Sequence, residues 1–313
     1  MYRDKLSWTD VQPVDLRAAD GPSPLVIIDY SERFKDTHAY FYAGYSRQEK
    51  STRMLQLTED VIAQNSANYT AWYWRRACLD SMSISDWKSY EVEFTSKWAE
   101  ESPKNYQVWF HRRWLVEKQM RSDAMLSNEQ KEALLSEELR YVESTLENDA
   151  KNYNSFSHRV FVVQLLNSKE GVWEDELSFT DKLIAKDIRN NSAWSYRRQL
   201  FDRMYRTVDI PSTVVNDEVT FAMKVVKLAP NNESVWEYMR SFKDWHTVTA
   251  DAVNQVLGET SCESHRCRFA LQTAAEIALL TFQTQTAREL YEELAQTDVM
   301  RSTYWKYILS NLS

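Results

Sequence analysis

The residues best suited to chemistry stand in two short phrases, "KNYQ" at 104–107 and "KNYN" at 151–154. Each sets an ammonium, a phenol hydroxyl and side-chain amides beside a predicted helix start. Unpaired N–H groups and the helix dipole already favour an anion there, so Lys104, Tyr106 and Gln107, with Lys151, Asn152, Tyr153 and Asn154, could meet a phosphate or another polar ligand. A merely solvated turn is the alternative. Cys262, His265 and Cys267 form a second cluster, but their spacing fits no common zinc signature and a fourth ligand is missing. The three cysteines, Cys78, Cys262 and Cys267, read as reduced thiols, too few for a disulfide framework. There is no H-E-x-x-H, nucleophile elbow or paired-carboxylate motif to anchor a self-contained catalytic site.

The four glycines among 313 residues lie far apart, which removes every Gly-rich phosphate loop and disfavours turn-rich sheet folds. A net charge of −8 with no long basic run argues against nucleic acid as partner. "FALQTAAEIALLTF" is interrupted by Gln and Glu and falls short of the roughly 20 apolar residues of a membrane span. "MYRDKLSWTDVQ" has no apolar core after its charges, unlike a signal peptide, and a cytoplasmic location is expected.

The elements that must carry the two phrases announce themselves by repetition. "NYTAWYWRR", "NYQVWFHRR", "NYNSFSHRV", "NNSAWSYRR" and, more loosely, "NESVWEYMR" place an aromatic four residues after an Asn: Trp72, Trp109, Phe156, Trp194 and Trp236. Their spacings of 37, 47, 38 and 42 residues signal stacked supersecondary units, since one unit cannot bury its apolar face alone. Asn105 reads as an N-cap and Pro103 as a stop for the preceding helix, so each phrase opens a helix. The Trp side chains are expected as core plugs, and the Arg that follows is expected to reach an acidic side chain or a carbonyl between helices. Lys104, Tyr106 and Gln107 should point out of the stack.

Upstream of each phrase runs a second amphipathic segment, such as "EELRYVESTLEN" before Asn152, so each repeat is a helical hairpin and about five stack in a row. The long spacing is assigned to polar sequence around "RSDAMLSNEQKEA", as a loop or a helix extension. "DYSERFKDTHAYFYAGYSRQEKS" is expected to add one helix pair before the array. The predicted organisation is an extended N-terminal arm over 1–28 and a single all-α, alpha-alpha superhelical domain over 29–313. Its core repeats span about 55–245, and two or three capping helices fill 262–313.

In order and spacing these phrases, with "YSERFKDTHAYF" before them and "YWKYI" after, resemble the repeats of the alpha subunit shared by protein farnesyltransferase and protein geranylgeranyltransferase type I. The likeness covers roughly residues 29–308. It implies a crescent-shaped superhelix wrapped around a separate beta subunit that holds the catalytic zinc and most of the isoprenoid pocket; magnesium is implied for the heterodimer, and no cofactor for this chain. The implied reaction transfers a farnesyl or geranylgeranyl group from its diphosphate to the Cys thiol of CaaX-terminated proteins such as small GTPases. By position, Lys104 and Tyr106 match residues at the diphosphate leaving group, and Gln107 one that binds the CaaX carboxylate. Asn152 and Tyr153 fit the third repeat, whereas Asn154 stands where relatives often have a His facing the diphosphate. Phe110 also replaces a common His and reads as packing. The type II alpha subunit, which serves Rab proteins, shares the repeats, but Gln107 favours the CaaX type. A non-catalytic tetratricopeptide-like scaffold fits less well, because its period is about 34 and it favours a Gly absent here.

Overall fold

The computed structural model describes residues 1–18, 21–83, 85, 87–122, 126–166, 169–206, 208–260 and 267–312. All regular structure among them is helical: α1 (Glu32–Ser46), α2 (Thr52–Gln64), α3 (Tyr69–Asp80), α4 (Lys88–Glu101), α5 (Tyr106–Ser122), α6 (Asn128–Asn148), α7 (Tyr153–Leu165), α8 (Val172–Lys186), α9 (Asn191–Met204), α10 (Ser212–Leu228), α11 (Glu233–Arg240), α12 (Trp245–Thr260), α13 (Arg268–Leu280), α14 (Thr284–Thr297) and α15 (Ser302–Ser310), with short 3-10 turns. The chain divides into two compact units, Met1–Leu166 and Asn167–Ser313. The first holds α1 and the hairpins α2–α3, α4–α5 and α6–α7; the second holds α8–α9, α10–α11 and the closing helices α12–α15.

Each hairpin forms where the phrases are. The Asn68 side chain accepts the Ala71 N–H at 3.1 Å, and the Asn152 side chain accepts those of Asn154 and Ser155 at 2.9 and 3.1 Å. These caps satisfy donors that a helix start otherwise leaves unpaired. The anchoring aromatics Trp72, Trp109, Phe156, Trp194 and Trp236 are all buried, as core plugs should be. Each indole also donates to the carbonyl six residues upstream: Trp72 to Ser66, Trp109 to Pro103, Trp194 to Ile188 and Trp236 to Pro230, at 2.8 to 3.0 Å. The next hairpin's cap amide reaches the same carbonyl, Asn105 at Ser66, Asn152 at Pro103 and Asn232 at Ile188. Successive turns are thereby stapled.

The arginine three residues after the aromatic behaves as its spacing suggests. Arg75 holds Glu91 with Nε and Nη2 at 2.7 and 2.8 Å, Arg112 holds Glu138 at 2.6 and 2.9 Å, and Arg197 holds Glu218 at 2.7 and 2.8 Å. Every one of these carboxylates lies on the first helix of the following hairpin and takes a further donor from that hairpin's second helix. His111 donates to Glu91, His158 to Glu138 and Tyr238 to Glu218, while Tyr196 donates to Glu176. The guanidiniums also lie over Phe94, Tyr141 and Phe221. Bidentate pairing with a third donor on the same carboxylate is how a buried charge becomes tolerable.

Three features differ from the sequence expectation. Before the array there is one helix, α1, instead of a pair; it packs on α2, and Gly44 lets the two approach so closely that a Cβ there would lie 2.6 Å from the Met54 Sδ. Within the stretch expected to be an extended arm, Tyr2–Asp4 and Leu6–Trp8 form 3-10 turns, and Tyr2, Trp8 and Val11 are buried in an aromatic cluster with Tyr40. After α11 comes α12, which sequence reasoning had not marked. The long spacing between Trp109 and Phe156 is taken up largely by helix extension, since α5 has 17 residues and α6 has 21.

Candidate functional site

The stapled turns before α5 and α7 are adjacent, and their cap geometry decides which side chains face outward. The Pro103 carbonyl receives three donors: the Trp109 indole at 3.0 Å, the Asn152 amide at 3.1 Å and the Asn154 amide at 3.2 Å. The Tyr153 hydroxyl lies 3.5 Å from the Lys104 carbonyl. With its backbone held on both sides, the turn presents Lys104 (side chain 60% exposed), Tyr106 (64%) and Tyr153 (60%) to solvent. Gln107 is half-buried, its N–H capped by the Asn105 side chain at 3.0 Å.

The seven candidate residues therefore separate. Lys104, Tyr106 and Tyr153 share one exposed corner, Gln107 is half-buried at the start of α5, and Asn152 and Asn154 are buried beneath the corner. Asn152 spends its carbonyl on two N–H groups and its amide on Pro103, so it shapes the turn. Asn154 likewise donates to Pro103 from a nearly closed position. Lys151 is exposed. Beside the corner, Tyr106, Trp109, Phe110, Arg113, Asn154 and His158 line much of a cleft of about 230 Å³ between α5 and α7. Phe110 does not enter the core: it is 55% exposed and carries the Arg76 guanidinium 4.8 Å over its ring.

Charge at the corner is not free. The Lys104 Nζ lies 2.5 Å from an Asp149 carboxylate oxygen, and this hydrogen bond holds the Asp149 carboxyl below its ordinary range. Sequence reasoning did not single out Asp149, although the phrase "DAKNY" carries it two residues before Lys151. Nor did it assign the buried carboxylates, though Glu91, Glu138, Glu176 and Glu218 each stand 18 residues before their aromatic, a regularity readable in the sequence. Cys267 is buried and its Sγ lies 3.1 Å from the Pro230 carbonyl; Cys262 and His265 fall outside the described residues. Among the described residues no three His, Cys, Asp or Glu side chains converge as a metal ion requires, and no helix is long and apolar enough to cross a membrane.

Stapled two-helix repeats with this internal carboxylate network define a class. Residues 51–82, 89–119, 135–166 and 173–204 match the protein prenyltransferase alpha subunit repeat. The chain belongs to the alpha-subunit family of protein farnesyltransferase and geranylgeranyltransferase type-1. It is 38% identical over 233 residues to that subunit of Dictyostelium discoideum, covering 64% of this chain and 70% of the relative. The Arabidopsis thaliana subunit is 33% identical over 223 residues, covering 63% and 67%. Type-2 alpha subunits match at lower identity. In three dimensions the chain resembles Candida albicans protein geranylgeranyltransferase-I complexed with GGPP, with a TM-score of 0.81, 25% identity, and coverage of 99% of this chain and 100% of that one.

Proposed function

We propose that the exposed corner before α5 and α7 receives the diphosphate of a farnesyl or geranylgeranyl donor while a beta subunit supplies the remainder of the active site. On this reading a zinc of that subunit would activate the acceptor thiolate and magnesium would be available to the heterodimer; what this chain supplies is charge and hydrogen bonds. As the C–O bond to diphosphate breaks, negative charge grows on the departing oxygens. An ammonium held beside them stabilises that state more than the ground state, which is what lowers a barrier. Lys104 is read as that ammonium, with the Tyr106 and Tyr153 hydroxyls as neighbouring donors on the same exposed face. Gln107, one residue further along α5, is read as the amide for the CaaX carboxylate. Asn152 and Asn154 support this reading indirectly, by fixing the Pro103 carbonyl and with it the start of the Lys104 side chain. A cytoplasmic location and CaaX-terminated small GTPases as acceptors complete the reading.

The observation that carries it is the coincidence of a rigid, doubly held backbone with an outward cluster of cation and phenols at two helix starts. In a heterodimer with a co-expressed beta subunit, Lys104→Ala should slow single-turnover prenyl transfer about 100-fold or more, the scale of losing one preorganised donor to a developing anion. Isoprenoid affinity should change far less. An unchanged single-turnover rate would sink the role of Lys104.

A further inference from the structure

The pair between Lys104 and Asp149 has a consequence for the reaction. A lysine side chain has four rotatable bonds, and holding it in one geometry costs rotamer entropy. Asp149 can do the holding because it is itself fixed. It follows the last residue of α6, its backbone N–H donates to Thr145 at 3.1 Å, and its carbonyl accepts the Asn152 N–H at 3.0 Å. One carboxylate oxygen lies 3.3 Å from the Lys151 N–H, leaving the other for the ammonium at 2.5 Å. The donor and its holder come from adjacent turns, 45 residues apart in sequence. The Pro103 and Lys104 carbonyls contacted by Asn152, Asn154 and Tyr153 lock the two turns together.

We propose that Asp149 is a positioning residue of the transfer reaction: its carboxylate presets the Lys104 ammonium at the exposed turn before α5, and its negative charge opposes diphosphate binding in the ground state. The inference rests on the reading of Lys104 given above. A diphosphate within reach of the ammonium stands within a few ångströms of the carboxylate as well, so the same group orders the cation and repels the ligand. Substrate affinity and chemical rate should then move in opposite directions when the charge is removed, which a purely structural role would not produce.

Asp149→Asn suits the test because the amide oxygen can still accept the Lys151 N–H. In the heterodimer with a farnesyltransferase-type beta subunit, using farnesyl diphosphate and a fluorescent CaaX peptide, its single-turnover rate should fall about 10- to 100-fold, the usual effect of displacing a catalytic group by about 1 Å. The dissociation constant for farnesyl diphosphate should tighten about two- to fivefold, the scale of one exposed charge pair. Asp149→Glu, which keeps the charge, should recover much of the rate. In the Lys104→Ala background Asp149→Asn should cause no further slowing. Equal slowing in both backgrounds, or a joint loss of rate, affinity and melting temperature, would overturn the positioning role and leave Lys104 standing. An unchanged rate for Lys104→Ala alone would remove both readings.

Discussion

The hairpins of Met1–Leu166 and those of Asn167–Ser313 repeat one internal plan with two different third partners. In α5 and α7 the donor two residues after the aromatic is a histidine, His111 on Glu91 and His158 on Glu138. In α9 and α11 the same position is a tyrosine, Tyr196 on Glu176 and Tyr238 on Glu218. The rim diverges too: the first residue of α3, α5 and α7 is an exposed tyrosine, whereas α9 opens on Asn191 and α11 on Glu233. Architecture demands only a buried carboxylate with a guanidinium and one more donor, so either ring serves inside. Outside, an anion would meet Lys104 and the tyrosines in the first unit, but a carboxylate at the start of α11. Structure tolerates exchange at the node, whereas the proposed chemistry does not tolerate it at the rim.

The widest break of that comparison comes from removing a node. Glu91→Ala strands Arg75 and His111 in a fully buried site, whereas Glu218→Ala leaves Arg197 its pair with Asp181 at 2.8 Å and takes the acceptor from the Tyr238 hydroxyl. The first should cost about 3–5 kcal/mol, the usual result of leaving a buried charge uncompensated, and the second less, about 2–3 kcal/mol, because Asp181 still pairs with Arg197. Chemical denaturation of the heterodimer, followed with hydrogen exchange resolved by helix, should find the loss around α3–α5 in the first case and α9–α11 in the second. A loss under about 1 kcal/mol in either would mean that the shared plan is not what holds that unit.

The caps sharpen the same contrast on a smaller scale. The Asn105 side chain both accepts the Gln107 N–H and donates to the Ser66 carbonyl, whereas the Asn232 side chain makes no cap bond and only reaches Ile188. Asn105→Ala should therefore cost about 1–3 kcal/mol, from a lost cap and a lost staple, and Asn232→Ala about 1 kcal/mol. Equal costs in thermal unfolding would show that the staple, not the cap, carries the stability.

How far these features were legible follows from their physics. The hairpins, caps, buried aromatics and outward Lys104 and Tyr106 follow from a local code, in which an Asn cap fixes the phase of a helix and the phase fixes the faces. The staple of indole and amide on one carbonyl was hidden because its acceptor is a backbone atom, which any residue supplies: Ser66, Pro103 and Ile188 have no side-chain type in common. The carboxylate nodes were partly hidden, because the sequence suggested an acidic partner for each Arg while the constant 18-residue offset went unused. Asn152 and Asn154 show the opposite limit. Read by position they could meet a phosphate or another polar ligand, yet both amides donate to the Pro103 carbonyl.

The smallest effect is set by the two histidines. Burial pushes His111 and His158 below the ordinary imidazole range, against Glu91 and Glu138, which pull them up. Burial alone would raise those two carboxyls, but Arg75 and Arg112, with the imidazole donors, hold both at about 2. As pH falls through roughly 6.5 an unfolded chain binds a proton on each histidine while the folded chain does not, so stability drops as protons are added. The carboxylates join only below about 4.5, where the unfolded chain begins to protonate them as well. Burial raises the Tyr238 hydroxyl, which stays protonated throughout this range. Between pH 7 and pH 5, amides of α5 and α7 should lose protection relative to those of α9 and α11 once exchange rates are corrected for pH. His111→Tyr with His158→Tyr should abolish the difference if the ring at the node is its source; an undiminished difference would place the acid sensitivity elsewhere in the first unit.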